Sequence, residues 1–163
     1  MEIGIALAFW SLSAVTVASA LLVVFLRNIF RAALFLVLSF LAIAGLFVLL
    51  QAEFLAAVQI LIYAGAISIL IVFAIMLTGD VRQANPSGRY ALPALFLALG
   101  LLSAMAFAIF STNWNISSDV VPENNTAGIA DALFNRFVLP FEVASVLLLA
   151  AILGAIVLVK ERE

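Results

Sequence analysis

Cysteine and histidine are both missing from this 163-residue chain, and charged residues make up only 10% of it. Without cysteine the chain can hold no disulfide, thiolate-bound zinc or cysteine-ligated iron–sulfur cluster; without histidine it can hold no His-ligated haem or copper. The net charge of −2 is spread between loops, which excludes nucleic acid as a partner. What is present is apolar. Apolar residues reach 67% and the mean hydropathy is +1.34, whereas soluble domains hold roughly 45–50%. A water-soluble fold of this size has too little interior to hide that surface. The chain therefore reads as an all-α integral membrane protein. Met1-Glu2 runs directly into apolar sequence with no basic n-region, so no cleaved signal peptide is expected.

Five apolar segments, about 3–26, 32–50, 54–78, 91–111 and 141–159, each approach or exceed the roughly 20 residues of a transmembrane helix. Barrel strands are excluded by their length and uniformity. Only helices satisfy their own backbone in lipid, so a five-helix bundle forming a single membrane domain over 1–163 is expected. Arg27-Asn28 and Arg31 bracket the first turn. Gln51-Ala52-Glu53 makes a second turn so short that its helices must be antiparallel neighbours. Gly79-Asp80 ends the third span, Pro93 falls in the first turn of the fourth, and Pro140 immediately precedes the fifth. Arg27, Arg31, Arg82, Arg89, Lys160 and Arg162 share one side of the membrane, and only Arg136 lies on the other. By the positive-inside rule the N-terminus is outside and the C-terminus cytoplasmic, or its matrix or stromal equivalent.

The outer loop, 112–140, is polar in its first half, where Asn115-Ile-Ser117 and Asn124-Asn-Thr126 match glycosylation sequons. Its second half spaces Ile129, Leu133, Phe134, Phe137 and Val138 as an amphipathic helix would, for the membrane interface, a neighbouring subunit or its own bundle.

Ionisable groups at membrane depth usually mark function, and no Lys, Arg, Asp or Glu lies near any midplane here. Glu53 and Glu142 adjoin span cores at outer N-terminal helix ends. The helix dipole favours an anion there by about 0.3–1 kcal/mol; the alternative is a subunit contact or a polar path. No nucleophile–base pair, phosphate loop or metal cluster is present, and the Ser and Thr residues of the first span suit close helix packing. No catalytic residue is expected in this chain.

The third span differs from a plain anchor. From Phe54 to Leu77 it carries no charge, yet its middle holds Gln59, Tyr63, Gly65 and Ser68. Ala57, Ala64 and Ser68 share one face of an α-helix and would let another helix approach; Gln59, Tyr63 and Ala66 lie on a second face. Gly65 weakens the helix near the bilayer centre, and a π-bulge or register change is easiest where side chains are small. These residues suit either tight packing or a mechanical switch.

The run Phe54-Leu-Ala-Ala-Val-Gln-Ile-Leu-Ile-Tyr-Ala-Gly-Ala-Ile67, with Phe73-Ala-Ile-Met-Leu77, resembles the third helix of subunit J of respiratory complex I, counterpart of mitochondrial NADH dehydrogenase subunit 6. The likeness extends to Arg27-Asn28, Ala32-Ala33-Leu34, Ala44-Gly45, Gly128, Leu133-Phe134, Pro140-Phe-Glu-Val-Ala-Ser145 and Gly154-Ala-Ile156. It implies a non-catalytic membrane-arm subunit of a proton-translocating NADH–quinone oxidoreductase. Implied partners are the quinone-module subunit, the small three-helix subunit K, antiporter-like subunits and the lipid bilayer. NADH, FMN, iron–sulfur clusters and quinone would sit on other subunits. The resemblance also implies a π-bulge around Tyr63, Ala64, Gly65 and Ala66, with Gln59 and Ser68 beside it, that changes register to gate water during coupling. Ser68 and Ala74 stand where larger apolar residues are expected. A bacterial plasma membrane is the implied location. The rivals are an accessory subunit of a multisubunit cation/proton antiporter, a small autonomous transporter, and a structural anchor or assembly factor.

Overall fold

The computed structural model describes residues 2–78, 91–114 and 125–159. The loop carrying Arg82 and Arg89, the sequon residues 115–124 and the basic tail lie outside them. Apart from short turns the described residues are helical: α1 (Glu2–Phe25), α2 (Ile29–Leu49), α3 (Glu53–Thr78), α4 (Ala91–Ser111), α5 (Asn125–Arg136) and α6 (Val138–Val159). All but α5 are long and apolar enough to cross a membrane. They form two compact units: one holds α1, α2, α3 as far as Met76, α5 and α6, and the other holds α4.

Two helices begin three residues earlier than expected. α2 starts at Ile29 because the side chain of Asn28 accepts a hydrogen bond from the Arg31 N–H at 3.0 Å, an N-cap that places Arg31 inside the first turn. α6 starts at Val138, so Pro140 lies within its first turn, where a missing N–H leaves no intrahelical bond unmade. The outer loop's second half is helical, with Ile129 and Leu133 half-buried and Asp131, Asn135 and Arg136 exposed.

The turn between α2 and α3 is a complete Schellman motif. Ala52 N–H reaches the Phe47 carbonyl at 2.9 Å and Gln51 N–H that of Val48 at 3.0 Å. The motif needs a left-handed residue, usually glycine, and Gln51 fills the place at φ 58°.

In the first unit α2 is central. It packs on α1 along one side and on α3 from Glu53 to Ile67 along another. The residues it buries are small, Ala33, Ser39, Ala42 and Ala44, and Ser19 of α1 and Ala56 of α3 are buried as well. A Cβ added to Gly45 would sit 3.0 Å from both terminal methyls of Leu12, so this glycine is what lets α1 come so close. Large apolar side chains point outward, the arrangement expected where lipid rather than water surrounds the chain. The helix α5 rests its first part, Asn125–Asp131, against Glu53–Val58, and among the described residues α6 meets α5 at Ala132–Arg136. In its own unit α4 is exposed from Leu92 to Ser111 except at the half-buried Ala106, with Ser103 bonding back to the Gly100 carbonyl and Thr112 to that of Ala108.

Candidate functional site

The middle of α3 is not α-helical. Nine residues, Gln59–Ile67, form a π-helix between α-helical ends at Glu53–Val58 and Ser68–Thr78. π turns are uncommon, occur mostly as single-turn bulges, and are frequent at functional sites. At about 1.5 Å per residue Tyr63 lies roughly 15 Å from Glu53, near the middle of a bilayer core of about 30 Å.

The sequence explains why the wide turn settles here. A Cβ on Gly65 would lie 3.3 Å from the Ile60 carbonyl oxygen, five residues back, so the turn closes where no side chain pushes that oxygen away. Ala64 and Ala66 flank it with one carbon each. At the C-terminal end the Ser68 N–H is shared between the Gly65 and Tyr63 carbonyls, and the Ser68 hydroxyl donates to the Tyr63 carbonyl at 2.7 Å. At the N-terminal end the Gln59 side-chain amide donates to the Phe40 carbonyl of α2, a long bond of 3.5 Å. The Tyr63 ring stands edge-on to that of Phe40, centroids 5.6 Å apart and planes at 67°.

Burial departs from the α-helical face pattern. That pattern puts Gln59 and Ser68 on different faces, yet they are 8% and 3% exposed. Nine steps make two and a half α-helical turns, but π turns of roughly 4.4 residues make it nearly two whole ones. The wide register brings Ser68 round to the side on which Gln59 sits. Ala64 and Gly65 are half-buried, Ala66 is exposed and Tyr63 is 44% exposed. Ala57, expected on the packing face, is exposed, and its neighbour Ala56 is buried instead.

Gln59, Tyr63, Ala64, Gly65, Ala66 and Ser68 thus fall in one continuous segment. Glu53 and Glu142 do not join it. Glu53 is the exposed first residue of α3, and Glu142 is exposed on α6, whose backbone meets, among the described residues, Ala132–Arg136. Phe40 escaped the sequence reading because its main contribution is a backbone carbonyl, which any residue offers. A second π segment at Ala132–Arg136, closed by the Phe137 N–H on the Ala132 carbonyl at 2.8 Å, was equally unmarked. The segment in α3 offers no nucleophile and no base.

A family model described as NADH-ubiquinone/plastoquinone oxidoreductase chain 6 matches residues 19–158, from the middle of α1 almost to the end of α6. The chain belongs to this family. Among chain 6 relatives, F(420)H(2) dehydrogenase subunit J of Methanosarcina mazei is 41% identical over 162 residues, covering 93% of this chain and 89% of its own. NAD(P)H-quinone oxidoreductase chain 6 of Leptolyngbya boryana is 42% identical over 156 residues, covering 93% and 78%. The chain 6 protein of Synechocystis is 37% identical over 158 residues, covering 94% and 80%. The matched span contains the whole π segment.

Proposed function

We propose that this chain is a membrane-arm subunit of a proton-translocating quinone oxidoreductase and that the middle of α3 is a conformational element coupling quinone reduction to proton transfer. The observation that carries the second part is the π-helix at Gln59–Ile67, sited at mid-membrane in a chain of the chain 6 family. A π turn is a stored register shift. Releasing it to α-helix turns one end of the span relative to the other without moving a charge through lipid. Electron transfer then belongs to companion subunits carrying NADH or another donor, FMN, iron–sulfur clusters and quinone.

The donor does not track this subunit. Relatives named for F420H2 and for NAD(P)H are 41% and 42% identical to it. Its neighbours in this reading are the quinone-module subunit, a small three-helix subunit and antiporter-like subunits, and the outward apolar faces of α4 and α6 suit such contacts or lipid. The N-terminus faces outward, and the membrane is the plasma membrane of a prokaryote.

Purification in mild detergent with mass spectrometry of the companions tests the assembly. Oxidoreductase subunits are expected, and recovery of this chain alone would overturn the reading. In the same complex Gly65→Leu should obstruct the register change and lower proton transfer per quinone reduced. Unchanged quinone reduction and pumping would remove the moving-element part.

A further inference from the structure

We infer that the Ser68 hydroxyl selects the register of the third helix: it is a positioning residue that holds Gln59–Ile67 in the π form. The inference deepens the proposed function and rests on it only for its consequence in coupling, not for the register itself.

The first observation is the reach of the bond. Among the described residues, other hydroxyls donate to carbonyls three or four residues back, as in Thr16 to Leu12, Ser19 to Val15 and Thr16, Thr112 to Ala108, and Ser145 to Phe141. Three and four are the distances at which an α-helix presents a carbonyl to a side chain. Ser68 instead reaches five residues back, to Tyr63, at 2.7 Å. That geometry exists only while the turn is wide.

The second observation is what the Tyr63 carbonyl receives without it. The Ser68 N–H is divided between the carbonyls of Tyr63 and Gly65, so the backbone serves Tyr63 only in part where π-helix gives way to α-helix. In lipid no water can make up the shortfall, and an under-served backbone acceptor is costly there. The hydroxyl supplies the missing donor. In an α register that carbonyl would receive a full N–H from Ile67, and the hydroxyl would add only a second, shared bond at Ala64. The bond therefore favours the π form over the α form rather than both equally.

The third observation is placement. Ser68 is 3% exposed and Gln59 8%, and the wide register sets both on one side. Conversion to α-helix moves them to opposite sides, so it breaks the Ser68–Tyr63 bond and forces Gln59 or Ser68 out of its buried position. Gln59 is tied to Phe40 of α2, and α2 packs on α3 no further inward than Ile67. Among the described residues Ser68 lies just beyond that limit, so its buried place depends on the register of the turn rather than on contact with α2.

A net hydrogen bond of this kind corresponds to about a threefold to tenfold change in an equilibrium. The test uses the assembled complex carrying Ser68→Ala, with Ser68→Thr as the conservative partner that keeps the hydroxyl. Electron cryomicroscopy reads the register of 59–68 by particle classification, and proton transfer per quinone reduced is measured on the same preparations. Ser68→Ala should raise the ratio of α to π particles about threefold to tenfold, and Ser68→Thr should restore the original ratio. An unchanged ratio in Ser68→Ala, or a shift that Ser68→Thr shares, would overturn the inference. A raised α fraction with unaltered proton transfer upholds the inference about Ser68 and overturns the coupling role proposed for the segment.

Discussion

Two residues in the first unit are held by backbone demands their side chains do not express. Gln51 takes the left-handed position of the Schellman turn between α2 and α3. An L-residue pays roughly 1–2 kcal/mol there, and a β-branched one more. Gln51→Gly should therefore stabilise the turn by about 1 kcal/mol and Gln51→Val should destabilise it by about the same or more. The thermal dissociation midpoint of the purified complex reads both, rising for the first and falling for the second. Gly65 is the opposite case. Its φ is unremarkable, and glycine eases the wide turn because a Cβ would lie 3.3 Å from the Ile60 carbonyl oxygen, close enough that one of them must shift by a few tenths of an ångström.

Among the elements, the α1–α2 pair depends on Gly45 and Leu12. A side chain at Gly45 meets the Leu12 methyls at 3.0 Å, so Gly45→Leu should overpack the interface at about 1–3 kcal/mol. The amount of subunit incorporated into the complex should drop, and Leu12→Ala in the same chain should recover part of it as the two changes compensate. The third helix shows how far sequence reaches. That its middle was special was legible in Gln59, Tyr63, Gly65 and Ser68, polar and small residues where lipid alone asks for Leu and Ile. The register was not legible in those residues themselves. An α-helical projection assumes 3.6 residues per turn, and that assumption is the one the segment breaks, which is why Gln59 and Ser68 were assigned different faces and Ala57 a burial it lacks. The starts of α2 and α6 were missed for a related reason: Arg31 and Pro140 look like boundary residues, but a first turn accepts both.

For the whole molecule, five spans were readable from composition because a bilayer demands length and apolarity and little else. Orientation rests on charge, and the absence of cysteine makes it directly measurable. Thr126→Cys, on exposed α5, should react with a membrane-impermeant maleimide added to intact cells, whereas Gly88→Cys should react only after the membrane is opened. The reverse pattern would invert the topology. The packing between α1, α2 and α3 was not readable in the same way, because alanine, serine and glycine mark close approach without naming a partner.

The smallness of the buried residues has a further consequence for the life of the protein in the cell. Four alanines make up the buried apolar positions among the described residues, and there the backbone of α6 meets its own chain near its N-terminal end. With so little interior to hold it, the chain is expected to be shorter-lived when it is made in excess of the other oxidoreductase subunits, which a pulse-chase in cells lacking them would show.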